Sequence, residues 1–208
     1  MDINMQKRNE VLAQNVIKGL ESRNMSGYYA ADREAAVKQA LELIPEGSTI
    51  AMGGCMSAHE IGLIKALEEG NYNYIDRAKL DPRAGLMAAY DADVFLSSAN
   101  AITDDGIMVN IDGNSNRVSC IAQGPKKVVF IVGINKVCSD LDAAMKRARN
   151  VAAPVNAQRF EVKTPCKTTG KCFDCKSPDT ICCQFLITRY SRHTGRIHVI
   201  LVNDNLGF

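Results

Sequence analysis

The stretch Ser48-Thr49-Ile50-Ala51-Met52-Gly53-Gly54-Cys55-Met56-Ser57 decides how the rest of the chain is read. Ser48 to Met52 is a short apolar run of strand length, the mark of a buried strand, and Gly53-Gly54 breaks it. Ser57 then reads as a helix N-cap, with Glu60 three residues on completing a capping box. A buried strand that turns sharply into a helix is the repeating unit of a parallel sheet, because parallel strands need a crossover between them.

The same alternation continues outward in both directions. Upstream, Val11, Leu12, Val16, Ile17 and Leu20 recur at helical steps between Met5 and Leu20. Gly27 to Ala30 is a short strand, Asp32 caps a helix carrying Ala36, Ala40 and Leu43, and Pro45-Glu46-Gly47 is a turn. Downstream come a short strand at Tyr72–Ile75, a helix from Asp81-Pro82 to Tyr90, and a core strand at Val94–Ser97. Asp-Gly pairs around Ile107–Ile111 predict short strands and tight turns throughout Ala101–Ser119. Val128–Val132 is the most apolar strand, Leu141–Arg149 a short helix, and Ile197–Val202 the last strand. The expected fold is α/β: a mostly parallel, Rossmann-like sheet covered by helices on both faces, three layers in all. Residues 1–208 read as one domain, with a single composition shift at 163–183.

Composition narrows the function. With 46% hydrophobic and 23% charged residues the chain is globular, and a net charge of +2 gives no reason to invoke nucleic acid or an anionic membrane. The absence of Trp argues against a base-stacking platform. The N-terminus lacks the apolar core of a secretory signal, and no apolar stretch approaches the roughly 20 residues of a membrane helix. The expectation is a soluble, cytoplasmic protein whose 8 cysteines are reduced.

Five of those cysteines fall between Cys166 and Cys183. Cys166, Cys172, Cys175 and Cys182 are spaced C-x5-C-x2-C-x6-C; the C-x2-C pair puts two thiolates on one loop and the other two complete a four-sulfur set. Such a set holds zinc or a [4Fe-4S] cluster, and the spacing does not choose between them. Nearby Lys163, Lys167, Lys171 and Lys176 offset thiolate charge. Free thiols on a loop, or a redox disulfide, are the plain alternative. Cys182 is preferred to Cys183, which lies nearer the apolar run from Phe185.

Two polar clusters suggest a ligand site at the carboxyl ends of the strands, where open parallel sheets bind ligands. Gly53, Gly54, Cys55 and Ser57 form a strand–helix loop with exposed amides that suit a small anion, although two glycines there are as readily a packing turn. Cys55 as a nucleophile, with His59 as base, competes with a small semi-buried thiol. The second cluster runs from Ser97 and Ser98 through Asn100, Thr103, Asp104, Asp105 and Gly106, followed by Asn110, Asp112, Asn114, Asn116 and Arg117, and is joined by Asn135 and Lys136 after the strongest strand. Many of these residues shape turns first, yet they exceed what turns need.

The run Ser97–Val137, SSANAITDDGIMVNIDGNSNRVSCIAQGPKKVVFIVGINKV, resembles the lactate-utilisation (LUD) domain family, which includes lactate-utilisation protein C. GGCMSAHEIGL at Gly53–Leu63 resembles its glycine loop, and VAAPVNAQRF followed by PCKTTGKCFDCKSPDTIC resembles a short, cysteine-bearing branch. The resemblance runs from about Ala51 to the closing LVNDNLGF. It implies a fold like the sugar-phosphate isomerase and CoA-transferase group, and a link to an iron–sulfur enzyme system oxidising lactate to pyruvate. A small anionic metabolite and an iron–sulfur redox partner protein are the partners so implied. The segment Ala99–Asn110 is also similar to methylthioribose-phosphate isomerases, in which an aspartate moves a proton where this chain has Asn100. An amide is no general base, so that chemistry would fall to Asp104 or Asp105, and no glutamate here suits CoA-thioester formation.

The sequence supports three functions. The first is a redox-associated protein of small-carboxylate metabolism with a metal or iron–sulfur centre beside an anion pocket. The second is an isomerase, ligase or transferase for a phosphorylated or CoA-linked metabolite with a structural metal, and the third a non-catalytic binding or regulatory subunit. Self-association is common in such folds, and the sequence leaves a homo-oligomer open.

Overall fold

A computed structural model describes residues 2–208. In chain order its elements are α1 (Ile3–Ser22), β1 (Ser26–Ala30), α2 (Arg33–Leu43), β2 (Thr49–Met52), α3 (Met56–Glu60), α4 (Leu63–Glu69), β3 (Asn73–Tyr74), α5 (Pro82–Asp91), β4 (Val94–Ser97), β5 (Ala101–Thr103) and β6 (Met108–Asp112). The chain continues through α6 (Asn116–Ala122), β7 (Lys127–Gly133), β8 (Val137–Cys138), α7 (Leu141–Arg147), α8 (Ala153–Ala157), α9 (Pro165–Thr169), β9 (Gln184–Thr188) and β10 (Ile197–Val202). Six strands make one sheet in the order β1-β10-β7-β4-β2-β3, every pair parallel.

Period-two alternation divides the side chains of this sheet between two cores. On β7, Val128, Phe130 and Val132 join Ala13, Val16 and Leu20 of α1 and Ala89 of α5 on one face, whereas Val129 and Ile131 meet Ala36 and Ala40 of α2 and Leu63 and Leu67 of α4 on the other. Burial on both faces explains why β7 reads as an unbroken apolar run from Val128 to Val132 and β10 as one interrupted only by His198. Asp32 and Asp81 cap α2 and α5 as their positions predict: Asp32 accepts from the Ala35 amide, and Asp81 from those of Arg83 and Ala84.

A second sheet was not legible in the sequence. Its order is β8-β5-β6-β9, with β5–β6 and β6–β9 antiparallel and β8–β5 parallel. It branches from the first where the chain leaves β4, and it carries the cysteine-rich segment to within one residue of β9. That segment is not all loop, since α9 forms one short helical stretch ended by Gly170 at φ +69°.

Three local expectations are corrected. Ser57 does not cap α3: the helix begins at Met56, Cys55 precedes it without a side-chain cap, and the Ser57 hydroxyl turns inward instead. Glu60 spends its carboxylate on the amide of Gly207. The turns expected up to Ser119 give way at Asn116 to α6, whose first amides are held by a residue further back: Asp112 Oδ2 accepts from Arg117 and Val118, each at 2.8 Å. The helix expected to end at Arg149 continues through a π turn at 148–152 into α8. Pro154 has no amide hydrogen and its ring crowds the preceding turn, and the wider π turn accommodates it.

Candidate functional site

The strands β2, β4 and β7 end side by side, and the links that leave them meet above the sheet edge. Gly53 comes directly after β2, Ser98 directly after β4, and Lys136 sits in a single 3-10 turn after β7. Together with α6, the α8 exit and residues 178–181 they enclose a cleft of about 570 Å³.

Lys136 is the defining group. It is 2% exposed, and its Nζ donates to Ser98 Oγ at 3.0 Å and Ser57 Oγ at 3.2 Å. Among the described residues it makes no ion pair within 4 Å, and its hydrogen bonds go to two hydroxyls, with Glu60 acting on it only at longer range. Burial lowers its pKa from 10.5 to about 8, with the Cys55 thiol acting in the opposite sense. An uncompensated buried charge is costly, and an anion in the cleft would supply the missing partner.

Arg117 forms the adjoining wall and is fully committed. Its Nε donates to Asp112 Oδ1 at 3.0 Å, and its Nη2 to the Ile111 carbonyl at 2.7 Å and to Asn100 Oδ1 at 2.9 Å. Gly53 makes room for it, because a Cβ there would stand 2.8 Å from Arg117 Cγ. The glycine loop is thus a packing device for an arginine. A Cβ on Gly54 would meet nothing within 4 Å.

The predicted residues do not all meet in one place. Gly54, Asn100, Asn116, Arg117 and Lys136 line the cleft. Asn100 has little freedom, since its Oδ1 also accepts from the Ile111 amide and its carbonyl from Arg147. Asn110 is buried beside the cleft; its Nδ2 donates to the Ser98 carbonyl at 2.8 Å, and its Oδ1 has no partner among the described residues. Asn135 holds the loop from beneath, accepting from the Leu206 amide at 3.2 Å. Cys55 lies in the core, where burial pushes its thiol up and keeps it protonated. Thr103, Asp104, Asp105 and Gly106 stand apart, in or beside the β5–β6 turn. Thr103 accepts from the Ile107 amide and donates to Asp105, which pairs with Arg23 at the end of α1, just past its last residue.

The tail residue Gly207 was missed by the sequence reading, and Ser98, though part of the second polar cluster, was not singled out as a ligand residue. Ser98 is the second of two serines at the end of an apolar strand and carries no pattern of its own. Gly207, at φ +53°, lies over Lys136: a Cβ there would be 3.1 Å from Ser57 Oγ and 3.2 Å from Lys136 Nζ.

Cys166, Cys172, Cys175 and Cys182 line one small cavity of about 60 Å³, together with Arg149 and Phe173. Burial, then the neighbouring thiols of Cys166, Cys172, Cys175 and Cys183, push Cys182 up to about 11. Arg149 approaches Cys172 Sγ at 3.8 Å while pairing with Asp174 at 2.6 Å. Among the described residues no group of three or more His, Cys, Asp or Glu stands ready to hold a single metal ion. The four cysteines share one cavity without forming a single-ion coordination group there. Thr180 and Ile181 line both this cavity and the larger cleft, so one stretch of chain separates the two.

The sequence model of the LUD domain matches residues 13–202. No curated protein matches the chain. Among solved structures, a DUF162 family protein from Deinococcus radiodurans is similar in fold, with a TM-score of 0.57 at 10% identity over 93% of this chain and 98% of that one.

Proposed function

Because the chain belongs to the LUD domain family, we propose that it serves lactate utilisation or a kindred branch of small-carboxylate metabolism. In this reading it binds a small carboxylate beside Lys136 and carries a metal or iron–sulfur centre in the cysteine cavity. The single observation behind the carboxylate is the buried Lys136 ammonium, which faces the cleft hydrogen-bonded to two hydroxyls and ion-paired to no carboxylate. A carboxylate there would accept from Lys136 and from the serine hydroxyls, charge-assisted contacts of about 1.5–3 kcal/mol each.

For the centre, a [4Fe-4S] cluster suits the donors better than one zinc ion. Each thiolate of a cluster binds its own iron, so four cysteines lining one cavity can serve it, whereas one zinc draws four sulfurs into a single sphere and no such single-ion group is formed among the described residues. When bound, such a cluster would supply one-electron transfer close to the cleft. The chain's own part is to hold the thiolates, with Arg149 offsetting their charge, and to keep Thr180 and Ile181 between centre and ligand. Proton-shuttling isomerase chemistry has less to draw on, because Asn100 is fixed by Arg117 and Asp105 is engaged with α1.

Two measurements test the reading. Calorimetric titration with L-lactate, pyruvate and acetate is expected to give saturable binding that Lys136→Met abolishes; no binding by any of them removes the carboxylate. Protein purified without oxygen is expected to contain iron and acid-labile sulfide and to absorb near the visible edge, and a colourless zinc-only preparation removes the redox role.

A further inference from the structure

Three polar side chains from three separate elements close a triangle on the cleft floor. Lys136 Nζ stands 3.0 Å from Ser98 Oγ and 3.2 Å from Ser57 Oγ, and the two hydroxyls are 3.4 Å apart. Ser57 is 1% exposed and Ser98 4%, so water does not compete for these contacts. Ser57 belongs to α3, Ser98 to the link after β4, and Lys136 to the turn after β7. Helical or strand periodicity cannot place all three together; only the assembled sheet edge does. Carboxylate binding by itself needs a cation, not a lysine braced by two interacting serines.

We propose that Ser98 is a nucleophile activated by Lys136, and that the cleft accepts an ester or thioester of a small carboxylic acid whose acyl group passes to Ser98. Ser98 is assigned this part because it lines the cleft together with Lys136, whereas Ser57 lies behind them. Ser57 is a positioning residue: its hydroxyl fixes the lysine and contacts Ser98. Serine needs an adjacent base to attack a carbonyl, and lysine can serve when it is neutral. Burial of Lys136 makes the neutral form accessible near pH 8.

The step balances without any oxidant or reductant. Lys136 Nζ takes the Oγ proton as Oγ bonds to the acyl carbon, and the carbonyl electron pair moves onto oxygen. Collapse breaks the bond to the alcohol or thiol, which leaves with the proton from Lys136. Water then adds to the acyl-serine, giving its proton to Lys136; the acid departs and Ser98 recovers its proton. The net reaction is ester or thioester plus water to acid plus alcohol or thiol. It rests on the cleft of the proposed carboxylate site and on none of the cysteines.

The test uses the full chain with p-nitrophenyl acetate and, separately, a small alkyl fluorophosphonate, read by intact mass and peptide mapping. The expected result is one adduct, on Ser98, forming faster as pH rises through about 8. Ser98→Ala abolishes it, and Lys136→Met slows it by about 100-fold, within the usual range for a general base. Ser57→Ala slows it less and moves the midpoint of the pH profile, which a merely structural residue would leave in place. Wild-type mapping needs no variant to fold. Adducts confined to cysteines or surface lysines, no adduct with either probe, or equal labelling in Lys136→Met each overturn the proposal. Carboxylate titration of the wild type stands apart: binding without a Ser98 adduct sinks only the nucleophile, and a Ser98 adduct without binding sinks only the carboxylate reading.

Discussion

Lys136 shows how one residue couples stability to function. Its native pKa lies below the ordinary lysine value, so between about pH 8 and 10.5 the unfolded chain binds more protons than the folded one. Stability therefore rises with pH across that window and is lowest where the lysine is charged in both states. The difference corresponds to about 3 kcal/mol held against the fold at neutral pH. Lys136→Met is expected to raise stability at pH 7 by up to that amount and to flatten the rise above pH 8, as chemical denaturation at a series of pH values would show. In the same variant carboxylate binding is lost, a trade of stability against function that active sites commonly make. Ligand affinity in the wild type should fall as pH rises through about 8, because the anion needs the charged form. A second residue reverses an intrinsic preference. Gly19 lies inside α1, where alanine is ordinarily better by about 1 kcal/mol. Here a Cβ would run into the Asp105 backbone, and Gly106, at φ +88°, packs on Leu20 from the other side. Gly19→Ala is expected to lower the melting temperature; an increase would mean that the turn does not rest on α1 as described.

At the scale of elements, β7 is the one whose loss costs most. Phe130 is fully buried in the core beneath α1 and α5, and Phe130→Ala is expected to cost about 3–5 kcal/mol in denaturant titrations, by lost transfer energy and the cavity left behind. Such elements were legible in the sequence for the same reason they are stable: double-sided burial demands a largely apolar run, and β4, β7 and β10 carry one, with His198 the single polar residue inside β10. The second sheet was not legible, because β5 and β8 are three and two residues long and β9 is an exposed edge with no clean alternation. Its pairings join residues far apart in sequence, such as Val109 with Ile187. The candidate site was half legible. Lys136 and the glycine loop announced themselves by position after strands, but Thr103 and Asp105 looked alike in sequence and belong to a clamp on α1. Ser98 gains its meaning only from Lys136, which arrives 38 residues later.

For the whole molecule, the parallel sheet with its two cores and the cysteine-bearing sheet are joined through β6 and α6 but stabilised differently. The first has dense apolar packing on both faces. The second has a small core of Ala101, Val109, Ile111, Ala144 and Ala148, and beyond it a segment held by scattered polar contacts such as Lys163 to Asp179 and Gln158 to Lys167. If a centre occupies the cysteine cavity, its ligation energy belongs to this weaker part, since ligand binding stabilises whatever must be ordered to bind. Removing it with a chelator, or substituting Cys175 with Ser, should therefore raise amide hydrogen exchange across 163–188 while β4, β7 and β10 keep their protection. Pro178–Ile181 also walls the cleft, so carboxylate affinity should fall in the same preparation although no residue contacting the anion has changed. Uniform loss of protection over both sheets would show one cooperative unit and would remove the physical basis for coupling the centre to the cleft; unchanged exchange in 163–188 would show that the thiols hold nothing.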